Sequence, residues 1–242
     1  NMEISQLEGL GVATAGALDT KRGIVTASPN LPGCQDVPLR DIITEKLGVN
    51  VYLINDANAA ALAEYLLGAG RGAHNMIYIT VSTGIGGGVI INGRLYSGVD
   101  GCAGEIGHMT IDVNGPKCNC GNNGCLEVLA SGTAVAKEAI TRVRRGESSQ
   151  LSELVAGKLE DIDARIVGIA ASRGDPLACD IIAKAANYLG VGMVNLVNIF
   201  NPERIIVGGG MSRLGDMLLE PARRVVRERA FQLAAQSVSI VP

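Results

Sequence analysis

Three of the six cysteines, Cys118, Cys120 and Cys125, fall within eight residues, with Gly121 and Gly124 between them. A chain that gathers three thiols over so short a stretch must fold back on itself, and the two glycines permit that reversal. Zinc takes four sulfur or imidazole ligands at tetrahedral corners. The Cys118-x-Cys120 pair spans one edge, and Cys125 reaches another corner. A histidine should complete the set. The chain has two, His74 and His108, and His108 is the nearer, shortly before Cys118. The expected site is therefore His108, Cys118, Cys120 and Cys125. Four protein ligands leave no open position, so the Zn²⁺ would be structural. The alternative is three free thiols in a turn. Cys34, Cys102 and Cys179 are scattered, unlike the cysteines of a secreted disulfide framework.

The rest of the chain reads as α/β. Its 242 residues, 47% hydrophobic, suit one large domain or two lobes. A short apolar segment at 10–15 ends in Gly16. Residues 37–47 read as a helix stopped by Gly48, 49–54 as a buried strand, and 57–67 as a helix. Two strands at 77–81 and 88–91 flank Ser82-Thr83-Gly84-Ile85-Gly86-Gly87. Helices are expected over 126–145, 176–200 and 216–231. A strand at 204–207 stops at Gly208-Gly209-Gly210, and 238–241 begins a strand with no sequel. Interleaved strands and helices give an α/β architecture. The abrupt start and unfinished last strand read as a piece of something longer. A net charge of −3, 3% aromatic residues and no Trp argue against a basic nucleic-acid binder or a stacking platform. The long apolar runs carry Asp180, Lys184 and Asn187, so no clean membrane span is expected. No signal peptide opens the chain, and a soluble cytoplasmic protein is the expectation.

Asp56 follows the 49–54 strand and precedes a helix. Ligands bind at that edge of an α/β sheet, and Asp is also a good helix cap; both roles stand open. Asn55 beside it adds a second group that could serve a polyol. Glu105 lies just before His108, and Glu127 just after Cys125. An ordered zinc loop would hold these two acids and the free nitrogen of His108 near one another, an arrangement suited to a ligand with many hydroxyls. Each acid alone reads better as a solvated surface group. The Thr83–Gly88 run (residues 83–88) could form an anion-binding nest or an ordinary glycine-rich hairpin. The Gly208-Gly209-Gly210 run could pass beneath a nucleotide base or turn the chain. Neither a Walker A sequence nor dinucleotide-type glycine spacing is present.

These segments together resemble the ROK family of bacterial sugar kinases and sugar-responsive repressors. The resemblance runs from Ser28-Pro29-Asn30-Leu31-Pro32-Gly33, through Asn55-Asp56-Ala57-Asn58-Ala59-Ala60 and the 82–87 loop, to Gly104-Glu105-Ile106-Gly107-His108 and the Cys-rich stretch. It implies an actin-like ATPase (ribonuclease H-like) fold with two lobes. Residues 1–54 would be the remainder of the small lobe. Residues 55–242 would form the large lobe, with the zinc loop at about 104–127. Asp56 would be the general base. Asn30, Asn55, Glu105, His108 and Glu127 would hydrogen-bond the sugar, with the backbone near Gly16 closing over it. Thr83 and Gly84 would contact phosphates, Gly209 and Gly210 the adenosine, and Mg²⁺ would accompany ATP. The implied reaction is ATP-dependent phosphorylation of a hexose, most of all glucose to glucose 6-phosphate, by a homodimer or homotetramer without nucleic-acid or membrane partners. The other readings are a sugar-sensing repressor with an upstream helix-turn-helix and a sugar-binding pseudoenzyme. Two features depart from the family. No Asp-x-Gly-Gly-Thr phosphate loop is present, so the chain starts inside the family's pattern, and it stops before the final helix. Cys34 stands where the family usually has Trp.

Overall fold

The computed structural model describes residues 6–27 and 33–242. Its central element is a five-stranded sheet in the order β10–β9–β6–β7–β8, with β6 at Met76–Val81, β7 at Ile85–Ile91, β8 at Arg94–Leu95, β9 at Arg204–Gly208 and β10 at Ser239–Val241. The strands β6, β7 and β8 form an antiparallel meander, whereas β9 and β10 run parallel to β6. Side chains alternate between the two faces, so the near-continuous apolar runs of β6 and β9 require both faces to be covered. Ile77, Ile79 and Val81 point with Val89, Ile205 and Val207 into one core, and Met76, Tyr78, Ile90 and Ile206 point into another.

The larger core is closed by α3 (Leu126–Ala130), α4 (Gly132–Arg144), α5 (Leu151–Leu154), α6 (Ala164–Ser172), α7 (Pro176–Phe200) and α8 (Asp216–Arg229). Helix α7 starts where Asp175 accepts a hydrogen bond from the Ala178 N–H and Pro176 occupies the first turn, and it ends at Asn201 in the left-handed region. By length and composition α7 could cross a membrane. However, 61% of its most apolar window is buried inside the protein, so it is a core helix. Each fully buried Leu or Ile on it, such as Leu189, contributes roughly 1.5–3 kcal/mol of apolar burial.

The smaller core lies under α2 (Asp56–Leu67), which follows β5 (Val51–Asn55). Strand β5 pairs in parallel with β1 (Leu10–Thr14), and a separate antiparallel sheet joins β2 (Ala17–Asp19), β3 (Ile24–Ala27) and β4 (Gln35–Val37). Helix α1 (Leu39–Leu47) ends at Gly48, φ 67°, as its sequence implied.

Two sequence expectations change here. The 126–145 stretch is two helices: the Ser131 hydroxyl accepts from the Ala134 N–H and starts α4 anew. The 82–87 linker shrinks to Ser82-Thr83-Gly84, because Val81 already pairs with Ile85 and pairing continues through Gly86, Gly87 and Gly88. Those three glycines are strand residues. A Cβ on Gly86 would lie 3.1 Å from the Ala57 Cβ, and one on Gly88 2.5 Å from the Ala61 Cβ, so α2 can press on β7 only because both are bare.

Candidate functional site

Strand β5 delivers Asn55 and Asp56 to the start of α2. The helix cap falls on Asn55, whose Oδ1 accepts from the N–H groups of Ala57 at 3.0 Å and Asn58 at 3.2 Å. Asp56 is the first helical residue rather than the cap. Its carboxylate is exposed, with Oδ1 2.9 Å from the Ala57 N–H. Asn58, which the sequence reading passed over, is buried, and its Oδ1 has no hydrogen-bond partner among the described residues.

The Cys-rich segment folds back through two isolated bridges, Thr110 to Cys125 and Lys117 to Asn123, with Gly121 at φ 95° and Gly124 at φ 61°. Both glycines hold backbone conformations that side chains disfavour. The fold brings one donor atom each from His108, Cys118, Cys120 and Cys125 within 4.8 Å of one another. The Cys120 and Cys125 sulfurs are 3.7 Å apart, and the Cys118 sulfur is 3.7 Å from His108 Nδ1. Two thiolates on a tetrahedral zinc, each about 2.3 Å from it, stand about 3.8 Å apart, so the spacing fits such an ion. Burial pushes the Cys125 thiol up to about 12, with the neighbouring Cys120 and Cys118 adding to the rise. Cys120, hydrogen-bonded by the Asn122 backbone and exposed, moves the other way.

His108 sits in a 3₁₀ turn, Ile106–His108, and presents its two ring nitrogens in different directions. While Nδ1 faces the thiols, Nε2 lies 3.9 Å from Glu105 Oε2. Glu127, in the first turn of α3, aims its carboxylate elsewhere: Oε2 accepts from the Ile85 N–H at 2.9 Å. The Ile85 carbonyl is packed against Gly107, and a Cβ on Gly107 would overlap it. The segment holding Glu105 and His108, the acid Glu127 and the start of α2 thus all converge on residues 85–88 of β7.

Beyond the hairpin turn lies a cavity of about 730 Å³ at the carboxyl ends of β6 and β9. Thr83, Thr133, Lys137, Asp163, Gly210 and Met211 are among its lining residues. The start of α4 is tied to the turn, with the Gly132 N–H donating to the Ser82 carbonyl at 2.7 Å. A crevice outside the carboxyl ends of strands is the usual ligand position in α/β sheets.

The sequence pattern of the ROK family matches residues 1–242. The chain belongs to the ROK family. It is 42% identical over 217 residues to a glucokinase of Thermotoga maritima, covering 90% of this chain and 68% of that one. It is 37% identical over 236 residues to a xylose repressor of Bacillus spizizenii, covering 98% of this chain and 57% of that one. A ROK family glucokinase from Streptomyces griseus, solved with glucose and AMPPNP, superposes with a TM-score of 0.88 at 36% identity, over 98% of this chain and 76% of that one. The α/β fold is therefore that of the ROK sugar kinases, the actin-like ATPase fold, of which the chain spans a part.

Within this ROK chain the residues expected to bind phosphate and adenosine separate by neighbour. Thr83 and Gly210 line the cavity, Gly84 abuts Glu127, and Gly209 at φ 86° backs onto the Val81 carbonyl, where a Cβ would be 2.5 Å away. Gly16 forms the bend between β1 and β2 at φ 97°. Asn30 and its Ser28–Pro32 surroundings (28–32) lie outside the described residues. The sequence reading did not single out Thr133, Lys137 or Asp163 of the cavity. Ser131 was the available signal, because a capping serine starts a helix that puts Thr133 and Lys137 one turn apart.

Proposed function

We propose that this chain carries the sugar- and nucleotide-binding part of an ATP-dependent hexose kinase, with glucose the favoured substrate and glucose 6-phosphate and ADP the products. The observation that carries the reading is the two-way His108 ring, held toward thiols on one side and toward Glu105 on the other, next to a turn that opens on a nucleotide-sized cavity. The relatives support it: the Streptomyces griseus glucokinase holds glucose and AMPPNP together.

In this reading the four-donor cluster holds a structural Zn²⁺, which supplies rigidity to the loop and takes no part in the reaction. His108 Nε2, Glu105 and Glu127 orient the sugar hydroxyls, aided by the Asn55 amide. Such polar readers discriminate strongly because a wrong epimer leaves them unpaired. Asp56 accepts the proton of the attacking hydroxyl as the oxygen–phosphorus bond forms and the bond to ADP breaks. Thr83 and the N–H groups of the turn hold the phosphates, and Gly210 borders the adenosine. Magnesium bound with the nucleotide would neutralise phosphate charge. Residues 1–54 serve as the remaining part of the small lobe and 55–242 as the large lobe, in a homodimeric or homotetrameric cytoplasmic enzyme.

The test is an ATP-coupled assay of the full-length protein across several hexoses, with Asp56→Asn beside the wild type. Asp56→Asn is expected to lower turnover by about 100-fold or more while glucose binding persists. Undiminished turnover in that variant would remove Asp56 from the base role. The second reading is a sugar-responsive repressor, favoured by the 37% identity to a xylose repressor. A full-length protein that binds sugar, transfers no phosphate and binds operator DNA would establish it.

A further inference from the structure

Glu127 reaches two places at once, and this has a consequence for how sugar and nucleotide bind. Its Oε2 accepts from the Ile85 N–H at 2.9 Å and lies against Gly84, where a Cβ would overlap the carboxylate. The other side of the same turn carries Thr83 into the 730 Å³ cavity. Ile85 is gripped from its carbonyl side too, by Gly107 in the segment that presents Glu105 and His108. The turn is therefore clamped by both segments that the proposed sugar site uses, and Oε1 of Glu127 is left available to a ligand hydroxyl.

We propose that Glu127 is a positioning residue that couples the two ligands: sugar bound at Oε1 fixes the carboxylate, and Oε2 then fixes the Ile85 N–H and the Thr83-Gly84 turn against which the nucleotide phosphates lie. This rests on the hexose-kinase reading above. A carboxylate is suited to the task because its two oxygens are rigidly linked, so a hydroxyl bound by one sets the orientation of the other. Linkage makes the effect reciprocal: the factor by which glucose tightens nucleotide binding equals the factor by which nucleotide tightens glucose binding.

The experiment is calorimetric titration of the full-length protein with AMPPNP, with and without saturating glucose, on the wild type, Glu127→Gln, Glu127→Ala and Gly84→Ala. In the wild type, glucose is expected to tighten AMPPNP by about tenfold. Glu127→Gln keeps a carbonyl for Ile85 and an amide for the sugar, and it should retain most of that factor. Glu127→Ala should bring the factor to one. Gly84→Ala keeps Glu127 but pushes its carboxylate off Ile85. It tests the coupling even if the Glu127→Ala protein no longer binds glucose, and its factor should also fall to one. Wild-type coupling in both alanine variants overturns the proposal, as does independent binding of the two ligands in the wild type, which leaves the kinase reading intact. A wild type that binds neither ligand overturns both.

Discussion

The Cys-rich loop and the β6–β7 hairpin are both short and glycine-rich, yet Gly121 and Gly88 are required for different reasons. In the loop, Gly121 has nothing within 4 Å of a would-be Cβ but sits at φ 95°, so the demand at that position is on backbone conformation; Gly124, at φ 61° and against the Asp112 carbonyl, faces both demands. In the hairpin, Gly86 and Gly88 lie in an ordinary strand, and the demand is for space under α2. The loop is organised by four donor atoms that would converge on an ion. The hairpin is organised by packing from elements distant in sequence. Glycine count alone does not distinguish a hinge from a contact surface; the direction of the missing side chain does.

The sharpest way to break this comparison is to remove a ligand. If the proposed cluster holds one zinc per chain, Cys118→Ser is expected to reduce it to near none and to cost several kcal/mol, because structural-metal binding energy adds directly to folding energy. Elemental analysis and thermal melts with and without chelator check it, and an unchanged melt in a zinc-free protein would sink the cluster assignment. Next comes the packing side. Gly88→Ala should cost up to about 3 kcal/mol by overpacking against Ala61, with zinc content unchanged. Gly121→Ala should cost about 1–2 kcal/mol through its backbone conformation alone. Urea unfolding of the two variants separates the mechanisms, and a costlier Gly121→Ala would reverse the comparison.

A smaller effect lies away from both regions and calibrates them. Asp175 is buried, and burial raises its carboxyl. Hydrogen bonds from the Ala178 and Gln150 N–H groups and the Ser149 hydroxyl outweigh that and hold it below the usual carboxylate range. A depressed native value means stability that is present above the unfolded pKa of about 3.9 and lost as the pH falls through the lower native value. Asp175→Asn keeps the cap on Ala178 but loses the acceptor for Gln150. A deficit of about 1–2 kcal/mol is expected at neutral pH, shrinking below about pH 4. Denaturation across pH measures it; a deficit independent of pH would assign the loss to packing.

Much of the molecule was legible in advance because its signals are local. Gly48 stops α1, the apolar run from Pro176 marks α7, and the apolar stretch 77–81 falls within β6. That His108, Cys118, Cys120 and Cys125 come together was readable for the same reason, since three lie within one turn-rich stretch and the fourth was one of two histidines. The short strands β2, β3 and β4 were not readable, because three- and four-residue strands carry too little pattern to stand out from loops. The Ser131 break was missed because α4 follows α3 with no loop between them and only the capping geometry divides the two.

The order of residues alone determined which chemistry is present: thiols and an imidazole at metal-binding spacing, an acid at the start of a helix, and strands that alternate with helices. Tertiary structure decided which atom of each residue is used. It gave the helix cap to Asn55 and left Asp56 exposed, turned His108 so that its two nitrogens serve different neighbours, and set Glu127 against Ile85. The reason is physical. Spacing along a chain limits what a side chain can reach, whereas its direction is set by packing from segments far away in sequence, as α2 and α3 meeting β7 show here.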